Sequence, residues 1–334
     1  MRRPRELSER GLVGARLRRR PAEPAARSGN PGDVFASDRR ERPTVSESQP
    51  AQAGSAEQQE KYLPALGEGR MLTTYALTEP EAGSDVNGIQ SQAEPTTGGF
   101  ILNGKKRFIS NGHSADMMIV FAKTPLPENE RAISAFIVQK GMEGFQVDNR
   151  LQMMAPHDLV ELSFRDCFVP EENLLGNPGD GYRIALRTLD VFRMSVGASA
   201  VGIGQRALDV SLDYARKRKQ FQRPISEFQA IQEKLAQMAT ELDAARGLVY
   251  RAAHTRDRDP EARVTRQASM AKLLGTEAAS RAVDEGVQIH GGVGVMRDSV
   301  VERLYREIRA MRIYEGTSET QKLIIANSLL KGRE

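Results

Sequence analysis

The hydrophobic period changes once along this chain. Between Met71 and Pro178, short runs rich in Val, Ile and Phe, such as Asp116–Thr124, Ala132–Lys140 and Leu159–Val169, alternate with turn residues. From Gly181 onward, apolar residues recur every three or four positions, as at Leu235, Met238, Leu242, Ala245 and Leu248. A period of two puts side chains on alternate faces of a strand, and a period near 3.6 gathers them on one face of a helix. Neither segment can take the other's structure without exposing its apolar side chains. The pattern predicts an α+β multidomain chain: an antiparallel β-barrel or sandwich over 71–178, then a four-helix bundle over 179–334. Within the first part, Asn103-Gly104 between apolar runs predicts a hairpin. Within the second, stripes through Tyr182–Arg218, Arg263–His290 and Val300–Leu330 join the one around Met238 to predict four long helices with short links.

Ahead of residue 71 the chain reads differently. Residues 1–57 form an Arg- and Pro-rich leader with few large apolar side chains, too few to offset the entropy of ordering, and are expected to be disordered. Gln58–Gly69 reads as one or two helical turns ended by glycine, so 58–70 is set apart as a short helical segment. Twelve arginines and no lysine stand in residues 1–50 against seven acidic residues, so the chain's formal charge of +4 resides there. The remainder is close to neutral, which excludes a basic nucleic-acid-binding domain in the body. The leader itself is a solvated tail or, alternatively, a nucleic-acid arm; Glu6, Glu9 and Glu23 fit a mitochondrial transit peptide poorly. One cysteine, Cys167, excludes a disulfide scaffold within one chain and fits a reducing cytoplasm, and with the leader's poor fit to a transit peptide a bacterial-type cytoplasmic setting is expected ahead of a mitochondrial matrix. Four scattered histidines form no zinc pattern, and no apolar run reaches the length of a membrane span.

Three stretches carry candidate chemistry. The loop Tyr75–Asp85 (YALTEPEAGSD) offers hydroxyls and open backbone N–H groups at Thr78, Gly83 and Ser84. It reads as a cradle for a planar polar ring or phosphate, or as a turn capped by its own side chains. Gln288–Gly294 (QIHGGVG) is a helix end with more glycines than a C-cap needs, which suggests a close backbone approach. Arg312–Thr320 (RIYEGTSET) places Glu315 between Tyr314 and Gly316. That carboxylate is either a base with a raised pKa in a poorly hydrated pocket, or a residue near a helix N-terminus capped by Thr317 or Ser318. The basic run Ala215–Arg223 is a solvated helix face or, because it holds Phe221, an interface. Cys167 and His290 read as structural.

Together these segments resemble the acyl-CoA dehydrogenase family from about Gln58 to Leu330. The resemblance rests on TEPEAGSD, NGKKRFISNG, RKQF followed by EFQ, QIHGGVG, ERLYRE and IYEGTSE, all in family order. It implies FAD bound between the β-domain and the helical domain. Tyr75, Leu77, Thr78 and Ser84 would line the flavin, with Ser84 also near the CoA, and Phe108, Ile109 and Ser110 would lie beside the ring. Thr317 and Glu319 would sit by the adenosine diphosphate. Arg218, Gln220, Phe221 and Gln229, with Gln288, Gly291 and Gly292, would reach the FAD of a neighbouring subunit, which implies a homodimer or homotetramer. Gln222 stands where the family usually has glycine. Asp190, Arg193 and Gly316 match substrate-side positions, and Glu315 matches the catalytic base. Some members place that base just before the arginine of the first long helix; here Phe192 holds the position and cannot take a proton.

The implied reaction is α,β-dehydrogenation of an acyl-CoA thioester to a trans-2-enoyl-CoA. Glu315 takes the α-proton, flavin N5 accepts the β-hydride, and an electron-transfer flavoprotein accepts the electrons. Alternatives are a catalytically impaired member and an acyl-CoA oxidase. The family's helical front domain is matched only by 58–70, so a truncated or aberrant N-terminus is expected. No metal is expected.

Overall fold

The structure, a computed structural model, describes residues 48–332. The leader expected to be disordered therefore lies outside the described residues as far as position 47. Its last ten positions do not conform to that expectation. α1 spans Ser48–Ala53 and α2 spans Ala56–Gly67, so helix begins before residue 58. The start of α2 is fixed by a reciprocal cap in which Ser55 and Gln58 bond each other's backbone N–H. Gln58 also donates to the carbonyls of Glu172 and Leu174 at 2.8 and 2.9 Å, tying α2 to the β-domain. That long-range tie is invisible in local composition.

Eight strands form one sheet: β1 (Thr73–Ala76), β2 (Gln92–Thr96), β3 (Gly99–Ser110), β4 (Met117–Lys123), β5 (Ile133–Gln139), β6 (Phe145–Leu151), β7 (Leu159–Pro170) and β8 (Leu174–Leu175). The order is β6-β7-β3-β2-β4-β5-β8, with β1 also on β4. Most pairs are antiparallel as expected, but β1 and β2 both run parallel to β4, so the sheet is mixed. The central strands are buried on both faces, which explains their unbroken apolar runs. On β4, Met118, Val120 and Ala122 enter one core with Phe136, Leu162 and Phe164. Met117, Ile119 and Phe121 enter the other with Tyr62 and Leu66 of α2.

The hairpin predicted at Asn103-Gly104 is absent. β3 passes straight through it, with a register shift against β7 between Leu102 and Gly104. The turn lies instead at Thr97-Gly98, joining β2 to β3. Gly104 is needed for closeness: a β-carbon there would come within 2.3 Å of Ser91 Oγ. Asn103 is occupied across the sheet, accepting from the Asp166 amide at 2.8 Å.

The helical part is α3 (Gly181–Lys217), α4 (Gln229–Arg258), α5 (Thr265–His290), α6 (Val300–Met311) and α7 (Ser318–Leu330). Three of these are long. The stripe over Val300–Leu330 is two short helices, because Arg312–Thr317 leaves helical geometry. α3, α4, α5 and α6 share a core of small and apolar residues, including Ala207, Leu242, Ala279, Val283 and Ile308. The short strands β9 (Lys219–Gln220) and β10 (Arg223–Pro224) pair in the α3–α4 link. Ile184 and Ala185 of α3 belong to the sheet's second core, so packing crosses the expected boundary at 178/179.

Candidate active site

Two loops are pinned so that their side chains converge. The first leaves β1. Because β1 occupies β4 at Met117–Val120 and β2 only meets it at Lys123, the chain between them loops out over 77–91. Lys106, fully buried, holds this loop. Its ammonium donates to Leu77 O at 3.2 Å and pairs with Glu79 at 2.6 Å. Glu79 in turn accepts from the amides of Gln90 and Ser91 at the other end of the loop. Burial pushes the Lys106 ammonium down to about 8 despite Glu79. Burial would raise the Glu79 carboxyl, but Lys106 and the donated hydrogen bonds outweigh it and hold the group below its usual range. Arg107 N donates to Thr78 O at 2.8 Å, and Thr74 Oγ1 to Ser110 O at 2.6 Å, which fix the loop's root beside the end of β3.

The second loop is Arg312–Thr317. Glu315 has φ +57°, in the left-handed region that disfavours residues other than glycine, and Gly316 follows at +88°. Such a conformation persists only where the surroundings dictate it. Here Gln321 of α7 donates to the carbonyls of Glu315 and Gly316 at 3.1 and 2.9 Å, and Lys272 of α5 donates to Gly316 O at 2.8 Å. Glu277, also on α5, accepts from Arg312 at 2.9 Å and from Ser318 at 2.6 Å, holding both ends of the loop. Thr317 caps α7 by accepting from the Thr320 amide. The capping role read for Thr317 and the buried role read for Glu315 therefore coexist.

Around the Glu315 carboxyl lie Arg193 of α3, Lys272 of α5 and Tyr75 of β1. Burial pushes Glu315 up to about 7, against the opposing pull of Arg193 and then Lys272. Arg193, only 4% exposed, is paired with Asp190 at 2.9 Å. Asp190 accepts from Thr265 Oγ1 at 2.5 Å; burial nonetheless leaves its carboxyl above the usual range. Burial also raises the Tyr75 phenol, with Glu315 adding to the effect. Four buried polar atoms of this neighbourhood have no protein partner: Glu315 Oε2, Tyr75 hydroxyl, Arg193 Nε and Gln321 Oε1. Folded proteins rarely leave such atoms unsatisfied, and a cluster of them is what a polar ligand would complete.

The other sequence-derived candidates fall into two groups. Leu77 and Ile109 are buried, Thr78 is half-buried, and Ser84, Phe108 and Ser110 are exposed, all on the loop 77–91 or the end of β3. Phe108 is 55% exposed at φ +58°, a strained backbone that presents an aromatic ring to solvent. Thr317 and Glu319 begin α7. Arg218, Gln220 and Phe221 occupy the α3–α4 link and Gln229 begins α4, while Gln288 lies in the last turn of α5 with Gly291 and Gly292 in the turn that follows it. Tyr214 joins these two segments, stacking on His290 at 4.3 Å. Among the described residues, no hydrogen bond, ion pair or ring contact joins this surface to Glu315. Phe221 is 87% exposed, and Phe221 and Gln222 both take positive φ. Gln222 thus adopts the backbone that glycine would provide there.

Reading the sequence missed Lys272, Gln321, Thr265, Glu277 and the pair Lys106–Glu79. Lys272 did leave a trace. It lies on the same helical face as Ala268, Ala271, Gly275 and Ala279, a charge in an otherwise small and apolar stripe. Cys167 and His290 are structural as read: the thiol is buried, and His290 Nδ1 lies 2.7 Å from Gly286 O. Among the described residues no group of metal ligands occurs, and no helix is long and apolar enough to cross a membrane.

A mixed sheet is followed by a helical bundle, and a carboxylate of the bundle's loop 312–317 lies beside Tyr75 of the sheet. Residues 74–167 match the acyl-CoA dehydrogenase middle domain, and residues 179–330 match the acyl-CoA dehydrogenase C-terminal domain. An acyl-CoA dehydrogenase of Bacillus subtilis is 45% identical over 281 residues, covering 84% of this chain and 74% of its own. A chain in a structure described as the electron transferring flavoprotein of Acidaminococcus fermentans superposes with a TM-score of 0.82 at 39% identity, over 85% of this chain and 75% of that one. An acyl-CoA dehydrogenase from Bacillus anthracis, complexed with FAD, superposes with a TM-score of 0.79 at 38% identity, over 85% of this chain and 51% of that one. The chain belongs to the acyl-CoA dehydrogenase family.

Proposed function

We propose that the chain catalyses FAD-dependent α,β-dehydrogenation of an acyl-CoA thioester, with Glu315 as the base. The observation that carries this reading is the state of that carboxyl: one oxygen is buried without a partner, and burial pushes the group up to about 7. A base of that strength matches the working pH and still binds the proton it removes.

The residues present fit the cofactor. Phe108 offers an exposed ring near the end of β3, Thr78 and Ser84 offer hydroxyls on the loop that Arg107 anchors, and the orphaned atoms of Tyr75 and Gln321 remain to be satisfied. Tyr75, Leu77, Thr78, Ser84, Phe108, Ile109 and Ser110 would hold the flavin, and Thr317 and Glu319 the remainder. When bound, FAD supplies the two-electron oxidation, taking the β-hydrogen with its electron pair as the carbon–carbon double bond forms. The chain's own part is proton transfer. The α C–H proton goes to Glu315, the electron pair left behind spreads onto the thioester oxygen, and Arg193 and Lys272 favour the ionised base that begins the step. Tyr75 and Arg193 lie beside the carboxyl, and the Asp190–Arg193 ion pair holds the guanidinium there.

The acceptor of the electrons is an electron-transfer flavoprotein, supported by the likeness to the chain solved under that description. The exposed residues Arg218, Gln220, Phe221, Gln229, Gln288, Gly291 and Gly292 complete the flavin site of a second copy, in a homodimer or homotetramer. The test is to purify the protein with FAD and add an acyl-CoA without oxygen. Bleaching of the flavin with formation of the 2-enoyl-CoA supports the reading. A protein that retains no FAD, or a flavin that stays oxidised across a panel of acyl-CoAs, refutes it.

A further inference from the structure

Lys272 is an expensive residue for its place. Its side chain is fully buried in a stripe of small residues, and burial pushes the ammonium down to about 8. The ammonium's only hydrogen bond among the described residues goes to Gly316 O. A buried cation without a contacting carboxylate costs several kcal/mol unless something nearby requires it. The hydrogen bond is not that requirement. Gln321, a neutral side chain, already donates to the same carbonyl at 2.9 Å. What Lys272 adds beyond Gln321 is charge, and the carboxylate next in sequence to that carbonyl is Glu315.

We propose that Lys272 is a positioning residue for Glu315, which seats the base loop through the Gly316 carbonyl and places a fixed positive charge so that the buried carboxylate stays ionised. This rests on Glu315 being the base. The groups facing that carboxylate come from three other elements: Arg193 on α3, Lys272 on α5 and Tyr75 on β1, with Tyr314 adjacent in its own loop. Lys272 is itself faced by Arg193, which opposes its charge, and by Glu315, Glu277 and Glu319, which favour it. Arg193 is committed to Asp190 by an ion pair at 2.9 Å, so its charge is partly cancelled. Lys272 makes no ion pair among the described residues, and of the carboxylates that favour its charge Glu315 acts most strongly, ahead of Glu277 and Glu319.

The experiment compares the full-length, FAD-loaded protein with Lys272→Gln, Lys272→Met and Lys272→Arg. The acid limb of kcat/KM is measured for each, and the Glu315 carboxyl is titrated by infrared difference spectroscopy against Glu315→Gln. Removing the cation raises the acid limb by about one pH unit in the Gln and Met variants, about a tenfold loss of rate on that limb. Lys272→Arg, which keeps the charge, leaves the limb in place. The Gln variant, which keeps a donor, retains more of the plateau kcat than the Met variant. A wild-type limb in both neutral variants overturns the proposal, and so does an equal rise in Lys272→Arg. If the Met variant does not fold, the Gln and Arg pair decides the question. If wild type shows no turnover, the dehydrogenase reading fails, while the infrared titration still reports whether Lys272 governs the Glu315 carboxyl.

Discussion

Gly197 of α3 and Gly275 of α5 meet backbone to backbone. A β-carbon on Gly197 would lie 2.8 Å from Ala271 O, and one on Gly275 would lie 2.9 Å from Gly197 O. Arg193 stands one turn before Gly197, and Lys272 just under one turn before Gly275. This close crossing brings both cations to the Glu315 carboxyl. Alanine is about 1 kcal/mol better than glycine inside a helix, so any net loss on substitution understates the crowding by about that amount. Gly197→Ala and Gly275→Ala should each lower stability by about 1–3 kcal/mol in urea titration. A stabilised variant would refute the tight crossing.

Replacing Glu315 by Gln should leave the flavin bound and lower turnover by about a thousandfold or more, since the base is then absent. The same substitution should stabilise the protein at neutral pH. Because the folded carboxyl is raised from 4.5 to about 7, the native state holds the proton more tightly than the unfolded chain. Stability from this group is complete below 4.5 and is lost as pH rises through 7. The melting temperature of Glu315→Gln should therefore exceed that of wild type at pH 7.5 and converge with it near pH 4.5. Equal melting temperatures at both pH values would count against a buried, raised carboxyl.

Turnover of the wild-type protein should fall about tenfold per pH unit below about 7, where Glu315 becomes protonated. Steady-state rates with a saturating artificial electron acceptor measure this limb directly. A flat profile down to about pH 5 would show that the base ionises like an ordinary exposed glutamate.

Breaking the buried pair under the loop 77–91 should be costly. Glu79→Gln leaves the Lys106 ammonium buried and uncompensated, a loss of about 3–5 kcal/mol. Glu79→Leu combined with Lys106→Met should recover much of that loss in denaturant titration. The double variant should still bind FAD more weakly than wild type, because both ends of the loop lose their anchor. Equal FAD affinity would mean that the loop is held by other contacts.

Asp190→Asn should also destabilise, since it leaves Arg193 buried without its counter-ion. Thr265→Val, which removes only a hydroxyl from Asp190, should cost about 1 kcal/mol. Chemical denaturation ranks the two, and the reverse order would argue that Thr265 rather than Arg193 holds Asp190.

The period change near residue 180 was enough to separate strand from helix, because burial on alternate faces and burial on one face leave different spacings in the chain. Glu315 stood out as a carboxylate between Tyr314 and Gly316, and only the family resemblance matched it to the base, since a helical stripe was expected to run through it. Local rules failed where a residue's role is set by a distant partner. Asn103-Gly104 has a turn's composition, yet it lies within β3 because Ser91 presses against it and Asp166 holds the asparagine. Lys272 has the composition of a solvated helix residue, and the crossing of α3 over α5 buries it. The sequence by itself was enough to separate strand from helix along most of the chain and to place it in its family, and it offered Glu315 as a candidate base. The raised carboxyl of Glu315 was decided only by the tertiary structure, because it depends on lost water and on the two cations that α3 and α5 bring toward it.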